Sequence, residues 1–198
     1  MANLGAGAER LGHGPRVGTE LLDDVGLTMD ERMRDAAFAA DIAEPWGRAV
    51  AGYYGGPEAY NVWSAADWKR WASNRKLPIW VAGLDGTGEG HDAVDALRDL
   101  GVPRRVYTAV DMEVRVDRTY LEHFGAVLNE AGYKVWVYGS ASSLFSNPGL
   151  NGYWVADYTG EPFMYNHSGV RATQYAPGEY FDSSTVKDWT YHFGRWWR

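Results

Sequence analysis

Short apolar segments that alternate with helical segments are the feature that most constrains the fold of this chain. Apolar runs typical of buried strands occupy residues 50–54, 78–82, 106–114 and 135–138. Each is followed by a segment with helical spacing or a helix-capping residue, such as Ser64 before Trp68 and Trp71. Strands that alternate with helices in this way form mainly parallel sheets that are covered on their faces.

The last third of the chain keeps the strands but has little helix between them. Further strands are predicted at residues 153–158, 170–175 and 179–181. About eight strands in 198 residues predict an α/β fold, a small TIM-like (β/α) barrel with reduced helices in its C-terminal part. A doubly wound open sheet is the alternative.

Three parts of the chain differ in composition. Residues 1–35 are interrupted by glycines and Pro15 and predict an arm that ends in a short helix. Residues 36–188 form the predicted barrel, in which residues 36–42 either complete that helix or make a first strand. Residues 189–198 are rich in aromatic rings and arginine, and predict either a plug against the barrel or a docking tail for another protein.

Composition argues against several classes of protein. A net charge of −7 argues against nucleic acid as the main partner. The absence of cysteine excludes disulfides and thiolate chemistry, and the five histidines lack the spacing of metal ligands. No apolar stretch approaches the ~20 residues that span a bilayer, and the first residues show no signal peptide. We therefore expect no metal, no cofactor and no membrane span.

The chain has 10 Trp and 13 Tyr, which is more than a small core holds with every polar ring atom satisfied. Some of these rings should therefore line a cleft or a contact surface. Sugar binding and docking to a partner are the two uses that this composition favours.

Two acidic residues end the strand predicted at residues 106–114. Asp111 and Glu113 are two residues apart, so their side chains point to the same face, about 6.6 Å apart along the strand. Barrel enzymes carry their sites at the carboxyl ends of the strands. One carboxylate raises the pKa of another beside it, and glycoside hydrolysis uses such a pair of carboxyl groups. The alternative is a pair of surface acids held in salt bridges.

The order of motifs resembles the family-25 glycoside hydrolases, the N-acetylmuramidases that cut peptidoglycan. Asp111-Met-Glu113 resembles their Asp-x-Glu motif, and segments 137–143, 153–158 and 172–175 resemble the strands that follow it. The match is closer to uncharacterised glycoside-hydrolase-like relatives, as found in some phage minor tail proteins. In those relatives a start like Asp41-Ile-Ala-Glu-Pro45 precedes a turn like Tyr54-Gly55-Gly56.

The resemblance implies a site as well as a fold. Glu113 would be the general acid, and Asp111 would orient an acetamido group or stabilise positive charge. The four predicted catalytic residues form an acidic ring: Asp41, Asp111, Glu113 and Asp182. Six further residues are predicted to bind substrate: Tyr54, Tyr138, Trp154, Asp157, Gln174 and Tyr175.

The glycine-rich segment at residues 86–90 lacks the lysine of a phosphate-binding loop, so a plain loop is favoured over a nucleotide site.

Two functions follow from these patterns. The first is a glycoside hydrolase that acts on a bacterial cell-wall glycan. The second is a non-catalytic structural or glycan-binding component of a phage tail or other virion, which contacts other virion proteins through the arm and the tail. Both place the protein at the bacterial cell wall or in an assembled particle.

Overall fold

A computed structural model describes residues 49–59, 62–71, 75–113, 118–176 and 182–187, together with Gly194 and Trp196. Asp41 and the predicted arm lie outside these residues, as does the strand predicted at 179–181. In the described part, seven strands form one sheet in chain order: β1 (Ala49–Gly55), β2 (Arg75–Val81), β3 (Tyr107–Asp111), β4 (Lys134–Ser140), β5 (Tyr153–Ala156), β6 (Val170–Ala176) and β7 (Ser183–Val186).

The sheet is mostly parallel and curls into a half-barrel. Neighbours from β1 to β6 are parallel, and β7 is antiparallel to β6. A doubly wound sheet reverses its strand order at a switch point, whereas these strands keep one direction of winding throughout the described sheet. The alternative of a doubly wound sheet is therefore wrong, and the α/β, barrel-like prediction is confirmed at this level.

Four helices belong to the described part: α1 (Ala65–Arg70), α2 (Gly86–Asp99), α3 (Arg118–Ala131) and α4 (Ala141–Leu144). Helix α4 has a single turn, and no helix separates β5, β6 and β7 in the residues described between them. The prediction of reduced helices in the C-terminal part is confirmed for these residues.

Helix α1 begins where the capping residue predicts. Ser64 Oγ accepts from the backbone N–H of Asp67 at 3.3 Å, and Asp67 Oδ2 accepts from the backbone N–H of Ser64 at 2.9 Å. This reciprocal pair is a capping box, which satisfies two amide donors at the helix start. The helix then buries Trp68, whose ring centroid lies 4.7 Å from that of Trp63.

The loop predicted at residues 86–90 is wrong, because this segment is the first part of α2. Asp85 caps the helix by accepting from the amides of Thr87 at 3.2 Å and Gly88 at 3.0 Å. A Cβ at Gly86 would lie 2.3 Å from the backbone oxygen of Tyr120 in α3. The glycine therefore serves close packing between α2 and α3.

Side chains of the sheet alternate between two apolar layers. One face packs on the helices through residues such as Val110 and Val137. The other face fills the concave side with Leu77, Ile79 and Trp136. Because parallel strands share one direction, the carboxyl ends of β1 to β6 meet at one edge of this concave face, which we call the mouth.

The described residues of the C-terminal segment pack against the sheet. Lys76 and Gly194 exchange two backbone hydrogen bonds, of 2.8 and 3.2 Å. Trp196 is buried, with its ring centroid 5.6 Å from that of Trp68, and its carbonyl oxygen accepts from Lys76 Nζ at 3.3 Å. These contacts agree with the plug rather than the docking tail.

Candidate functional site

Asp111 stands at the mouth as the last residue of β3, with 2% of its surface exposed. The hydroxyl of Tyr53, on β1, donates to Asp111 Oδ2 at 3.0 Å. The backbone N–H of Glu113 donates to Asp111 Oδ1 at 2.9 Å. Each oxygen of the Asp111 side chain thus receives a donor. The arrangement holds Asp111 as an acceptor across the space between β1 and β3.

Glu113 lies two residues beyond Asp111, after β3 has ended, and is exposed. Its charge still acts on the mouth. Burial raises the pKa of Tyr138, and the charges of Asp111 and Glu113 add to that rise. The same two carboxylates add to the raised pKa of Tyr158, which burial again dominates. The charges of Asp111 and Glu113 therefore act on the same two tyrosines, although β3 ends before Glu113, which the sequence places within the strand.

A chain of hydrogen bonds begins beside Asp111, at Tyr138 on the neighbouring strand β4. Tyr138 donates to Gln174 Oε1 at 2.5 Å, and Gln174 Nε2 donates to Asp182 Oδ2 at 2.7 Å. The hydroxyl oxygens of Tyr138 and Tyr158 lie 3.3 Å apart. Tyr138, Gln174 and Asp182 are buried, whereas 38% of Tyr158 is exposed. Tyr158 is thus the end of the chain that reaches solvent.

Trp154, on the neighbouring strand β5, packs against Tyr138. Its ring meets Tyr138 edge-on at a centroid distance of 5.3 Å, and Nε1 donates to Ser184 Oγ at 3.2 Å. Only 1% of Trp154 is exposed, so its ring is not open to a sugar as the sequence predicts. It fixes the position of Tyr138 instead.

Three other predicted binding residues stand apart from this network. Tyr54 points to the helix-covered face, where its ring lies 5.4 Å from that of Trp80. Sugar binding by Tyr54 stays a prediction, although alternation along β1 directs Tyr53 to the mouth and Tyr54 away from it. Asp157 and Tyr175 are half-buried, and no described hydrogen bond joins their side chains to the network. Asp41 is outside the described residues.

Tyr53 and Tyr158 belong to the network, although neither is among the site residues predicted from the sequence. Period-two alternation in β1 could have found Tyr53, since it shares a face with Ala51. Tyr158 is the last residue of the segment 153–158 that resembles a strand of the family-25 enzymes, but only the fold shows that its hydroxyl lies beside that of Tyr138.

Large apolar side chains are exposed around the mouth. Among the residues that the structure describes, the exposed large hydrophobics are Val62, Leu84 and Tyr158. They lie on the segments that follow β1, β2 and β5. Leu84 is 87% exposed.

Glu89 holds the connection between β2 and α2, in which Leu84 lies. Its carboxylate accepts from Tyr120 Oη at 2.6 Å, Gly83 N at 2.8 Å, Asp85 N at 3.0 Å and Trp80 Nε1 at 3.3 Å. Burial, followed by this hydrogen bond to Glu89, raises the pKa of Tyr120 well above its usual range. A buried carboxylate with four donors ties the β2–α2 connection to α3, which is a structural role.

Within the described ranges, no group of three or more acidic or histidine side chains is arranged to hold a metal ion. None of the described helices is both long and apolar enough to cross a membrane.

Comparison with known proteins places this geometry in context. The family model described as "Rv2525c-like, glycoside hydrolase-like domain" matches residues 59–197. No curated protein matches the chain.

Three solved structures illustrate the likeness of fold. An uncharacterized protein of B. stearothermophilus has a TM-score of 0.65 at 15% identity, over 86% of this chain and 94% of its own. The Tat-secreted protein Rv2525c of Mycobacterium tuberculosis has 0.58 at 11%, over 78% and 92%. The pneumococcal cell wall endolysin from phage Cp-1 has 0.54 at 16%, over 71% of this chain but 47% of its own.

Proposed function

The chain belongs to the Rv2525c-like family of glycoside hydrolase-like domains, and from that premise we propose that its mouth binds and hydrolyses a bacterial cell-wall glycan. The observation that carries the proposal is the placement of Asp111 and Glu113. One is buried and held as an acceptor, and the other is exposed beside it at the carboxyl edge of the sheet. Glycoside hydrolysis commonly uses two carboxyl groups that flank the scissile bond, one as the proton donor and the other in its charged form.

In this mechanism Glu113 donates a proton to the leaving glycosidic oxygen as the bond from that oxygen to the anomeric carbon breaks. Asp111 faces the positive charge that develops on the sugar, or orients its acetamido group. Water then supplies the hydroxyl of the new reducing end, and its other proton returns to Glu113. Asp182, which binds Gln174, adds negative charge to the same mouth. No cofactor takes part.

The exposure of Glu113 favours a second candidate function, a non-catalytic module. A general acid keeps its proton near neutral pH through burial or through a nearby negative charge. Asp111 supplies the charge, but an exposed carboxyl group is well solvated. A domain of this kind would bind glycan without cutting it.

Two finer features belong to the same proposal. Asp41, which lies outside the described residues, would be the fourth carboxylate of the predicted acidic ring. The protein would also be part of a phage tail or another virion, whose other proteins would contact its N-terminal arm. The support for both is the resemblance in sequence and the glycine-rich composition before residue 28.

One experiment separates the two candidate functions. The full chain is mixed with purified peptidoglycan, and both sedimentation with the insoluble wall and release of reducing sugar are measured. Sedimentation with release supports the hydrolase. Sedimentation without release supports the module, and the absence of both overturns the proposal.

A further inference from the structure

We propose that Asp182, Gln174 and Tyr138 orient Tyr158 so that its hydroxyl oxygen accepts the N–H of an acetamido group on the bound sugar. The inference deepens the proposed function and rests on it. Tyr158 is then a substrate-binding residue, and the other three are positioning residues. The chain of contacts runs from a buried carboxylate to the exposed edge of the mouth.

The direction of the chain follows from the groups at its buried end. A carboxylate only accepts hydrogen bonds, so Asp182 requires the amide nitrogen of Gln174 on its side. The amide oxygen of Gln174 then faces Tyr138, which must donate to it. Because the single proton of Tyr138 is used there, the contact between the two tyrosine hydroxyls is made by the proton of Tyr158.

This direction decides what Tyr158 offers to a ligand. With its proton committed to Tyr138, any further hydrogen bond at its oxygen is one that it accepts. Burial raises the pKa values of both tyrosines, so both keep their protons at neutral pH and the direction is maintained. The nearby charges of Asp111, Glu113 and Asp182 also act on Tyr158, which disfavours an anionic group of the ligand at this point.

An amide N–H is the group that such an acceptor selects. A sugar hydroxyl can donate or accept, so it fits either direction of the chain. An amide N–H can only donate, so it is bound when the chain runs towards Asp182 and rejected when it runs the other way. N-acetylated sugars are therefore the ligand class that Tyr158 distinguishes from plain sugars.

The test compares two neutral ligands, the β-1,4 tetramers of N-acetylglucosamine and of glucose, by calorimetric titration of the full chain. Wild type is expected to prefer the N-acetylated tetramer. Tyr158→Phe should weaken its binding about 10-fold while binding of the glucose tetramer changes little. Tyr138→Phe leaves the hydroxyl of Tyr158 without its acceptor. It should weaken binding of the N-acetylated tetramer by about 3-fold and change binding of the glucose tetramer little. Tyr133→Phe, which removes a tyrosine hydrogen bond to Val102 outside the mouth, is the control and should bind as wild type does.

Gln174→Glu tests the chain of hydrogen bonds directly, whether or not a ligand is present. Two carboxyl groups at hydrogen-bond distance share one proton, so the pKa of the pair is raised in the folded state. A raised folded pKa gives stability that is present at acidic pH and lost as pH rises. The thermal midpoint of the variant minus that of wild type should therefore decrease as the pH is raised from about 4 to about 8.

The outcomes separate the two proposals. The inference is overturned if Tyr158→Phe lowers the affinity for both tetramers equally, or lowers neither. Either result leaves the proposed glycan site in place. A flat difference in melting temperature across pH for Gln174→Glu also overturns it, because it shows that Gln174 and Asp182 are not coupled. If wild type neither binds a glycan nor cleaves one, the proposed function fails and the selection of acetamido groups fails with it. The pH series then still reports on the chain of hydrogen bonds.

Discussion

Tyr53 and Tyr54 are neighbours in β1, and alternation places their side chains on opposite faces of the sheet. Tyr53 donates to the carboxyl group of Asp111 at the mouth. Tyr54 is buried among the rings under the helices, with its hydroxyl 3.4 Å from Thr108 Oγ1. At the scale of single residues, one position in the sequence therefore decides whether a tyrosine serves the site or the core.

A pair of substitutions tests this assignment. Tyr53→Phe removes a buried donor from Asp111 and should lower glycan affinity or cleavage about 10-fold, since hydrogen bonds to charged groups are worth about 1.5–3 kcal/mol. Tyr54→Phe makes the same chemical change on the other face and should leave affinity and cleavage unaltered. Titration with a glycan tetramer and the release of reducing sugar measure both effects. An equal loss in the two variants would show that the hydroxyl of Tyr53 has no special role.

Much of the site could be predicted from residue identity alone. The spacing of Asp111 and Glu113 predicts that they lie on one side, and Asp111 does lie at the end of β3. The position of Glu113 beyond the strand end could not be predicted, because strand ends depend on the pairing of β3 with β2 and β4. The chain through Gln174 joins β4, β6 and the start of β7, and contacts between strands distant in sequence have no local signal.

At the scale of elements, the glycines at the start of α2 show how packing overrides composition. Gly86 and Gly90 suggest a loop by residue type, yet they lie in a helix. The reason is the partner helix, since a side chain at Gly86 would meet the backbone of Tyr120 and one at Gly90 would press on Val127. Strand positions were easier to predict, because continuous apolar runs mark strands buried on both faces.

Gly86→Ala tests this account of the packing between α2 and α3. Alanine has the higher helix propensity, but its Cβ would lie 2.3 Å from the oxygen of Tyr120. The helices must separate, and the free energy of unfolding should fall by about 1–3 kcal/mol. Thr87→Ala, at the exposed next position, is the control and should change it by less than about 0.5 kcal/mol. Urea denaturation measures both, and a stabilised Gly86→Ala variant would contradict the close approach.

At the scale of the whole molecule, the end of the chain returns to the sheet and packs on its helix-covered face. Trp196 lies against Trp68 and over Lys76, whose Nζ is 5.3 Å from the ring centroid. The plug could be proposed from the aromatic composition of residues 189–198, but its partner could not, because Trp68 and Lys76 are more than a hundred residues away.

Trp196→Ala should therefore destabilise the protein rather than release a partner. Loss of a buried tryptophan costs about 3–5 kcal/mol, which should lower the thermal midpoint by several degrees. Leu84→Ala removes a large apolar side chain that is exposed and should stay within about 0.5 kcal/mol of wild type. Differential scanning calorimetry compares the two, and an unchanged midpoint for Trp196→Ala would show that the segment does not belong to the core.

The central claim is that the mouth hydrolyses a cell-wall glycan with Glu113 as the proton donor. The most direct measurement is the release of reducing sugar from purified peptidoglycan by wild type, Glu113→Gln and Glu130→Gln under one set of conditions. Glutamine keeps the shape of Glu113 but cannot donate a proton to the leaving oxygen. The rate of sugar release by Glu113→Gln should therefore fall on the order of 100-fold or more. Glu130, which is exposed near the end of α3, should be replaceable without loss. Equal, measurable release by wild type and Glu113→Gln would contradict the claim.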